Sequence, residues 1–292
     1  MATIMASHPI GEVLGSHWSN SPNVQNTTCP FKIPDIHSST DCRKVRVENP
    51  LSVCSHREKK TNSIEKLTCL CPYRFFDDRK FSFMDSVKKF HFGNSVDAVF
   101  IPEVSLNTTD GKRIGNIDGV MLMLDENGEP DYSKPALIEL QSVYVSGNIQ
   151  NAFDWYLQNQ SNISTLEYTG DNYPKPDFTS SHRKRLFPQL QYKFNALENA
   201  GKSPKFSVVC DKPFWDSLGE MPTCTKDNAD IHWIITEIRK TGEDTELIRH
   251  KEIYSKWRDI EQIRLMPTAD LKKLSSDLKR KTVGGKATTL FI

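Results

Sequence analysis

Apolar positions in this chain fall into two kinds of run. Short, nearly continuous apolar runs occupy Ala98–Val104, Ile114–Leu124, Ala136–Tyr144, Phe206–Cys210 and Ile231–Ile238, with the length and β-branched content of buried strands. Other stretches repeat their apolar residues at helical spacing. Phe81, Met84 and Val87 do so within Phe75–Phe92, which predicts a helix ending near Gly93, and Ile149, Phe153, Tyr156 and Leu157 do so within Asn148–Asn159. Leu186, Leu190, Phe194 and Leu197 predict a third helix over Arg183–Ala200, where Pro188 suits a first turn and allows a start a few residues later. Asp110-Gly111 and Asn127-Gly128 are turn signals between the first three strands. The order is therefore helix, three strands, helix, and the chain reads as mixed α/β. Beyond the last strand, Thr268–Lys281 sets Leu271, Leu274 and Leu278 on one face of a further amphipathic helix.

Two of these strands contain acids. Asp118 interrupts Ile114–Leu124, and Glu139 and Gln141 interrupt Ala136–Tyr144. Glu139 and Gln141 stand two apart, so on a strand both side chains leave one face, and an antiparallel partner can bring Asp118 beside them. Two carboxylates converging inside an apolar sheet repel each other and lose hydration, a cost offset if they share a hard divalent cation such as Mg2+. The competing reading has Asp118 ending a tight Asp-Gly turn and Glu139 facing solvent from a half-exposed sheet. An acid followed roughly twenty residues later by Glu-x-Gln is too short a pattern to separate the two.

With 292 residues the chain can bury a sizeable core. Lys+Arg 38 against Asp+Glu 37 gives a formal net charge of +1, so any nucleic-acid partner has to be met by a local basic surface. One candidate is His182–Arg185, where Arg183, Lys184 and Arg185 stand together at the predicted start of the third helix. Most such runs are solvated helix ends. Cations at a helix N-terminus oppose the macrodipole, however, and the reading preferred here makes them phosphate clamps on DNA. Met1–Asn20 has no basic n-region and no run is long enough to span a membrane, so a cytoplasmic setting is expected.

Seven cysteines, an odd number in a chain of this length, argue for reduced thiols. Cys29, Cys42, Cys54, Cys69 and Cys71 crowd into a segment rich in Pro, Ser, Lys and Arg and short of apolar residues, which predicts folding around a metal. Tetrahedral thiolate coordination suits zinc or iron; the alternative is a set of scattered small hydrophobes. Met1–Thr28, poor in charge and rich in Ser, Asn and Pro, reads as an irregular arm. The expected division is an arm over 1–28, a metal-binding segment over 29–74, and an α/β domain with a C-terminal helical extension over 75–292.

GNIDGV around Asp118, IELQSVY around Glu139 and Gln141, the upstream cysteine cluster and SSHRKRLFPQL around Arg183–Arg185 together resemble the NotI-type restriction endonucleases, from about Cys29 to about Lys193. Asp118, Glu139 and Gln141 resemble the active site of PD-(D/E)XK nucleases in the form where glutamine replaces the usual lysine. The resemblance implies a PD-(D/E)XK core, a mixed central sheet flanked by helices, with an N-terminal metal-binding segment of four cysteine ligands. It implies a bacterial, cytoplasmic type II restriction endonuclease that hydrolyses double-stranded DNA at a specific GC-rich palindrome, acting as a homodimer beside a cognate DNA methyltransferase. Asp118 and Glu139 then hold catalytic Mg2+, Gln141 completes the catalytic set, and Arg183, Lys184 and Arg185 bind DNA. CPFK at Cys29, DCRK at Cys42, SVCSH at Cys54 and CPYRF at Cys71 are similar to the family's metal-cysteine segments, which hold a single iron in a structural role, so Cys69 is the spare. Only Leu70 separates Cys69 from Cys71, and a swap between them stays open, as does zinc in place of iron. Two other functional readings remain: a non-catalytic metal-ribbon DNA-binding protein, and a repair or recombination nuclease of the same fold.

Overall fold

Four short strands near the N-terminus form one antiparallel sheet: β1 (Ile10–Val13), β2 (Ser16–His17), β3 (Val53–Glu58) and β4 (Lys66–Cys69), in the order β2-β1-β3-β4. Six longer strands form the central sheet: β5 (Ala98–Asn107), β6 (Arg113–Met123), β7 (Ala136–Gln141), β8 (Phe206–Asp211), β9 (Ile231–Thr241) and β10 (Asp244–Ser255). Their order is β10-β9-β8-β7-β6-β5. β5, β6 and β7 make an antiparallel meander, β8 and β9 run parallel to β7, and β10 returns antiparallel, so the sheet is mixed. The helices are α1 (Phe83–His91), α2 (Ile149–Gln158), α3 (Phe187–Asn199), α4 (Lys212–Ser217) and α5 (Trp257–Leu265). This computed structural model describes residues 7–20, 28–33, 35–37, 39, 41–42, 45–46, 49–50, 52–58, 65–93, 96–242, 244–265, 272–273, 275–276, 278 and 280; most of Thr268–Lys281 lies outside them.

Every residue of β8 is buried, as a strand covered on both faces requires. Alternate residues of the sheet enter two apolar clusters. Val208, Cys210, Trp233 and Ile235 pack with Phe153 and Tyr156 of α2, Leu190 and Phe194 of α3, and Trp257 of α5. Val209, Ile234 and Ile138 pack on the other side with Phe83 and Val87 of α1. Leu137 belongs to the first cluster and Ile138 to the second, so the two-residue period directs Glu139 and Gln141 toward α3. Asp118 shares its face with Val120 and Leu122, which also belong to the first cluster.

α1 is shorter than its apolar spacing predicts. Pro72–Phe76 forms a separate 3-10 turn, and Asp77 then takes Arg79 Nε at 2.7 Å and Arg74 Nη1 at 2.6 Å instead of continuing the helix. Gly93, at φ +93°, ends α1 in the left-handed conformation that glycine adopts without strain. The irregular arm expected over Met1–Thr28 contains β1, whose Ile10 and Val13 are fully buried in the first cluster. Between them Glu12 turns inward to accept from buried Arg74, Nε to Oε1 3.0 Å. The cysteine segment likewise has more core than its own composition offers. Phe31, Leu67, Phe75 and Phe76 enclose Cys29, Cys54 and Cys69 in the same cluster as Met121 and Ile138 of the central sheet.

Candidate active site

β6 and β7 pair with Gly119 opposite Ile138 and Val120 opposite Leu137, a register that sets Asp118 across from Glu139. Asp118-Gly119 lies within a strand and makes no turn. A β carbon at position 119 would stand 2.5 Å from the Phe100 ring, so glycine is required there to let that ring lie against β6. Asp118 Oδ2 accepts from the Leu140 amide at 2.8 Å. Glu139 is 4% exposed, which removes the reading in which it faces solvent. Burial, and after it the charge of Asp118, push the Glu139 carboxyl up to about 8 against the opposing pull of Lys193. Burial also raises Asp118, against the Leu140 amide and Lys193. Gln141 is half-buried, its Nε2 donating to the Ser142 carbonyl at 2.5 Å. It lines a cavity of about 490 Å³ with Tyr144, Ser181 and Arg185.

Spacing along the strands does not reveal the third member of this group. Lys193 of α3 is 3% exposed and its Nζ lies 2.5 Å from Glu139 Oε1. The sequence does hold a signal for it. Lys193 follows Leu186 and Leu190 at helical spacing and precedes Leu197 by four, so it stands on the apolar stripe of α3, where a lysine is out of place.

The basic cluster sits one turn inside a helical run, not at its start. Helical turns begin at Phe178–Ser181, capped by Asp177, whose side chain accepts from the Ser180 amide at 2.9 Å. A π turn, His182–Leu186, then carries Arg183, Lys184 and Arg185 into α3. Such turns are uncommon and recur at functional sites. The dipole penalty expected for cations at a helix N-terminus therefore does not arise. Buried Ser181 ties this turn to the chain beyond β7: its hydroxyl accepts from the Tyr144 amide at 2.8 Å and donates to the Asp177 carbonyl at 2.7 Å. Arg185 is thereby laid over the Tyr144 ring, 4.2 Å from its centre, in the cavity that holds Gln141. Arg183 and Lys184 are exposed.

Carboxylate oxygens are the hard donors that Mg2+ takes; Asp118 engages the Leu140 amide through one oxygen and Glu139 engages Lys193 through one oxygen. The thiol donors of the cysteine segment suit a softer metal. Cys29, Cys42, Cys54, Cys69 and Cys71 are all buried. Burial raises Cys29, with Cys71 and Cys42 adding to the rise, and burial raises Cys54, with Cys71 again the next contributor. Cys69 donates its thiol to the Cys71 carbonyl at 3.2 Å. Among the described residues, however, no group of three or more His, Cys, Asp or Glu side chains is assembled closely enough to hold a metal ion. The expected four-cysteine centre is thus not formed as such here. Also among the described residues, no helix is long and apolar enough to cross a membrane.

Compared with protein families, the chain matches the family model described as restriction endonuclease NotI over residues 12–249. That span contains the paired acids, Gln141, Lys193 and the basic turn. No curated protein matches the chain.

Proposed function

Because the chain belongs to the NotI restriction endonuclease family, whose members cut DNA, we propose that it is a type II restriction endonuclease with Asp118, Glu139 and Gln141 as its catalytic residues. The observation that carries this reading is the buried, mutually opposed pair Asp118 and Glu139 on adjacent central strands, inside the matched span. A carboxyl pushed up by burial and by a second acid is costly to the fold and is explained by a cation it serves. Asp118 and Glu139, with the Leu140 carbonyl as a further oxygen, would hold Mg2+, which when bound would lower the pKa of a water and neutralise charge gathering on the phosphate. Gln141, on the same strand face as Glu139, orients the attacking water and a phosphate oxygen through its amide. Arg183, Lys184 and Arg185 bind the DNA backbone, the last from beside the Gln141 cavity.

The remaining parts of the reading rest on family resemblance. A homodimer matches its two-fold axis to a palindromic, GC-rich site, and a cognate methyltransferase protects host DNA. Cys29, Cys42, Cys54 and Cys71 hold one structural iron or zinc. In support, Cys71 and Cys42 act electrostatically on Cys29, Cys71 acts on Cys54, and the Cys69 thiol is already engaged. The deciding experiment is digestion of a sequenced phage genome with Mg2+. Discrete fragments with one shared end sequence are expected. A smear would assign the protein to repair or recombination, and DNA binding without cutting would make it a non-catalytic binding protein.

A further inference from the structure

Lys193 is a buried lysine in the wrong place for stability alone. Its stem runs past Gly115, where a β carbon would stand 3.7 Å from Lys193 Cε. It pairs with Glu139, which stands opposite Asp118 in the β6–β7 register. Desolvating an ammonium costs several kcal/mol, and an apolar pair of the same shape is commonly at least as stable as a buried ion pair. The fold therefore does not account for the lysine. The chemistry of the site does, because Gln141 on β7 carries no charge and leaves the phosphate with one cation fewer than a strand-borne lysine would provide. The stripe of α3 brings a charged group against Glu139, across the strand register from Asp118.

We propose that Lys193 is a catalytic residue, supplying from α3 the positive charge at the scissile phosphate that Gln141 cannot supply from β7. The proposal rests on the nuclease reading, and its test separates the two. Wild type, Lys193→Met, Lys193→Arg and Lys193→Met/Gln141→Lys are compared for single-turnover cleavage with Mg2+, for metal-free DNA binding over a salt series, and for thermal unfolding. Lys193→Met should cut at least ~100-fold more slowly and lose about 0.9 from the slope of log K against log salt. Lys193→Arg should keep the slope and part of the rate. Gln141→Lys in the Lys193→Met background should restore cutting, since the cavity beside Gln141 has room for the longer side chain. That rescue would not follow if Lys193 only supported the fold. Wild-type protein that cuts no DNA overturns the nuclease reading itself. If wild type cuts, the lysine proposal falls when Lys193→Met cuts within ~3-fold of it. It falls equally if Lys193→Met is inactive with a lowered melting temperature and neither the arginine nor the relocated lysine recovers any rate.

Discussion

Glu139 and Asp118 oppose each other across β6 and β7, so changing one of them relieves a repulsion and, on the proposed reading, removes a metal ligand at the same time. Glu139→Gln keeps the shape and leaves an acceptor for Lys193. It should reduce cleavage by roughly 10²–10³-fold or more while leaving the melting temperature and metal-free DNA affinity at or above wild type. Cutting at a rate near wild type would place the active site elsewhere. At this scale the acids were legible because each is a local anomaly, a carboxylate inside an apolar run, and a short window is enough to find it. Their strand setting was legible for the same reason, whereas the turn suggested by Asp118-Gly119 was a false signal created by a glycine that serves the Phe100 ring. Lys193 was missed because lysines on helices are ordinarily solvated, and only the packing of α3 against β7 shows that this one lies 54 residues along the chain from Glu139 but in contact with it.

Asp211 shows how one buried carboxylate joins elements. It accepts from the Cys69 amide of β4 at 2.5 Å and from the Phe214 amide at 3.0 Å, which caps α4. Burial pushes its carboxyl up to about 7. In an unfolded chain the group titrates near about 3.9, so between about pH 4 and pH 7 the folded protein binds the extra proton. Its stabilising contribution is therefore full below about pH 4 and lost as pH rises through about 7. Asp211→Asn keeps an acceptor and cannot ionise: it should match wild type at about pH 4 and exceed it by ~2 kcal/mol or more at about pH 8. Asp211→Ala strands two buried amides and should cost about 1–3 kcal/mol at about pH 4. Urea midpoints measured from about pH 4 to about pH 8 check both, and an Asn-minus-wild-type difference that stays constant with pH would contradict the assignment.

The cysteine segment gives a second element-scale test. If it holds a metal, anaerobically purified protein contains about one iron or zinc per chain, and Cys54→Ser lowers both metal content and stability; elemental analysis without a transition metal would refute it. The strands β5 to β9 and the helices α1 to α3 were legible because their apolar residues keep a clear period, whereas α4, six residues long, was not. β10 was not, since DTELIRHKEIYS is an edge strand with charged residues on its open side. β1 escaped notice because four residues holding a glycine and a glutamate show no period, and its burial depends on Arg74, which meets Glu12 only in the folded chain.

For the whole molecule, a formal net charge of +1 means that long-range attraction to DNA is nearly absent, so affinity depends on a few local contacts that can be counted. Arg183 and Arg185 come from the same π turn and both are exposed, but Arg185 is also laid on Tyr144 beside Gln141. If both bind phosphates, each alanine substitution should lower the slope of log K against log salt by roughly 0.9 and weaken specific and scrambled duplexes by similar factors. Base readout would act otherwise, since a bidentate arginine on guanine is worth roughly 1–3 kcal/mol at one base pair and its loss relaxes selection there alone. Binding of Arg183→Ala and Arg185→Ala to both duplexes, measured over a salt series with Ca2+ in place of Mg2+, distinguishes these roles. Two lost contacts should show as an additive fall in slope in the double variant. Unchanged affinity and slope in both single variants would return the cluster to a solvated helical turn and move the DNA-binding surface elsewhere on the molecule.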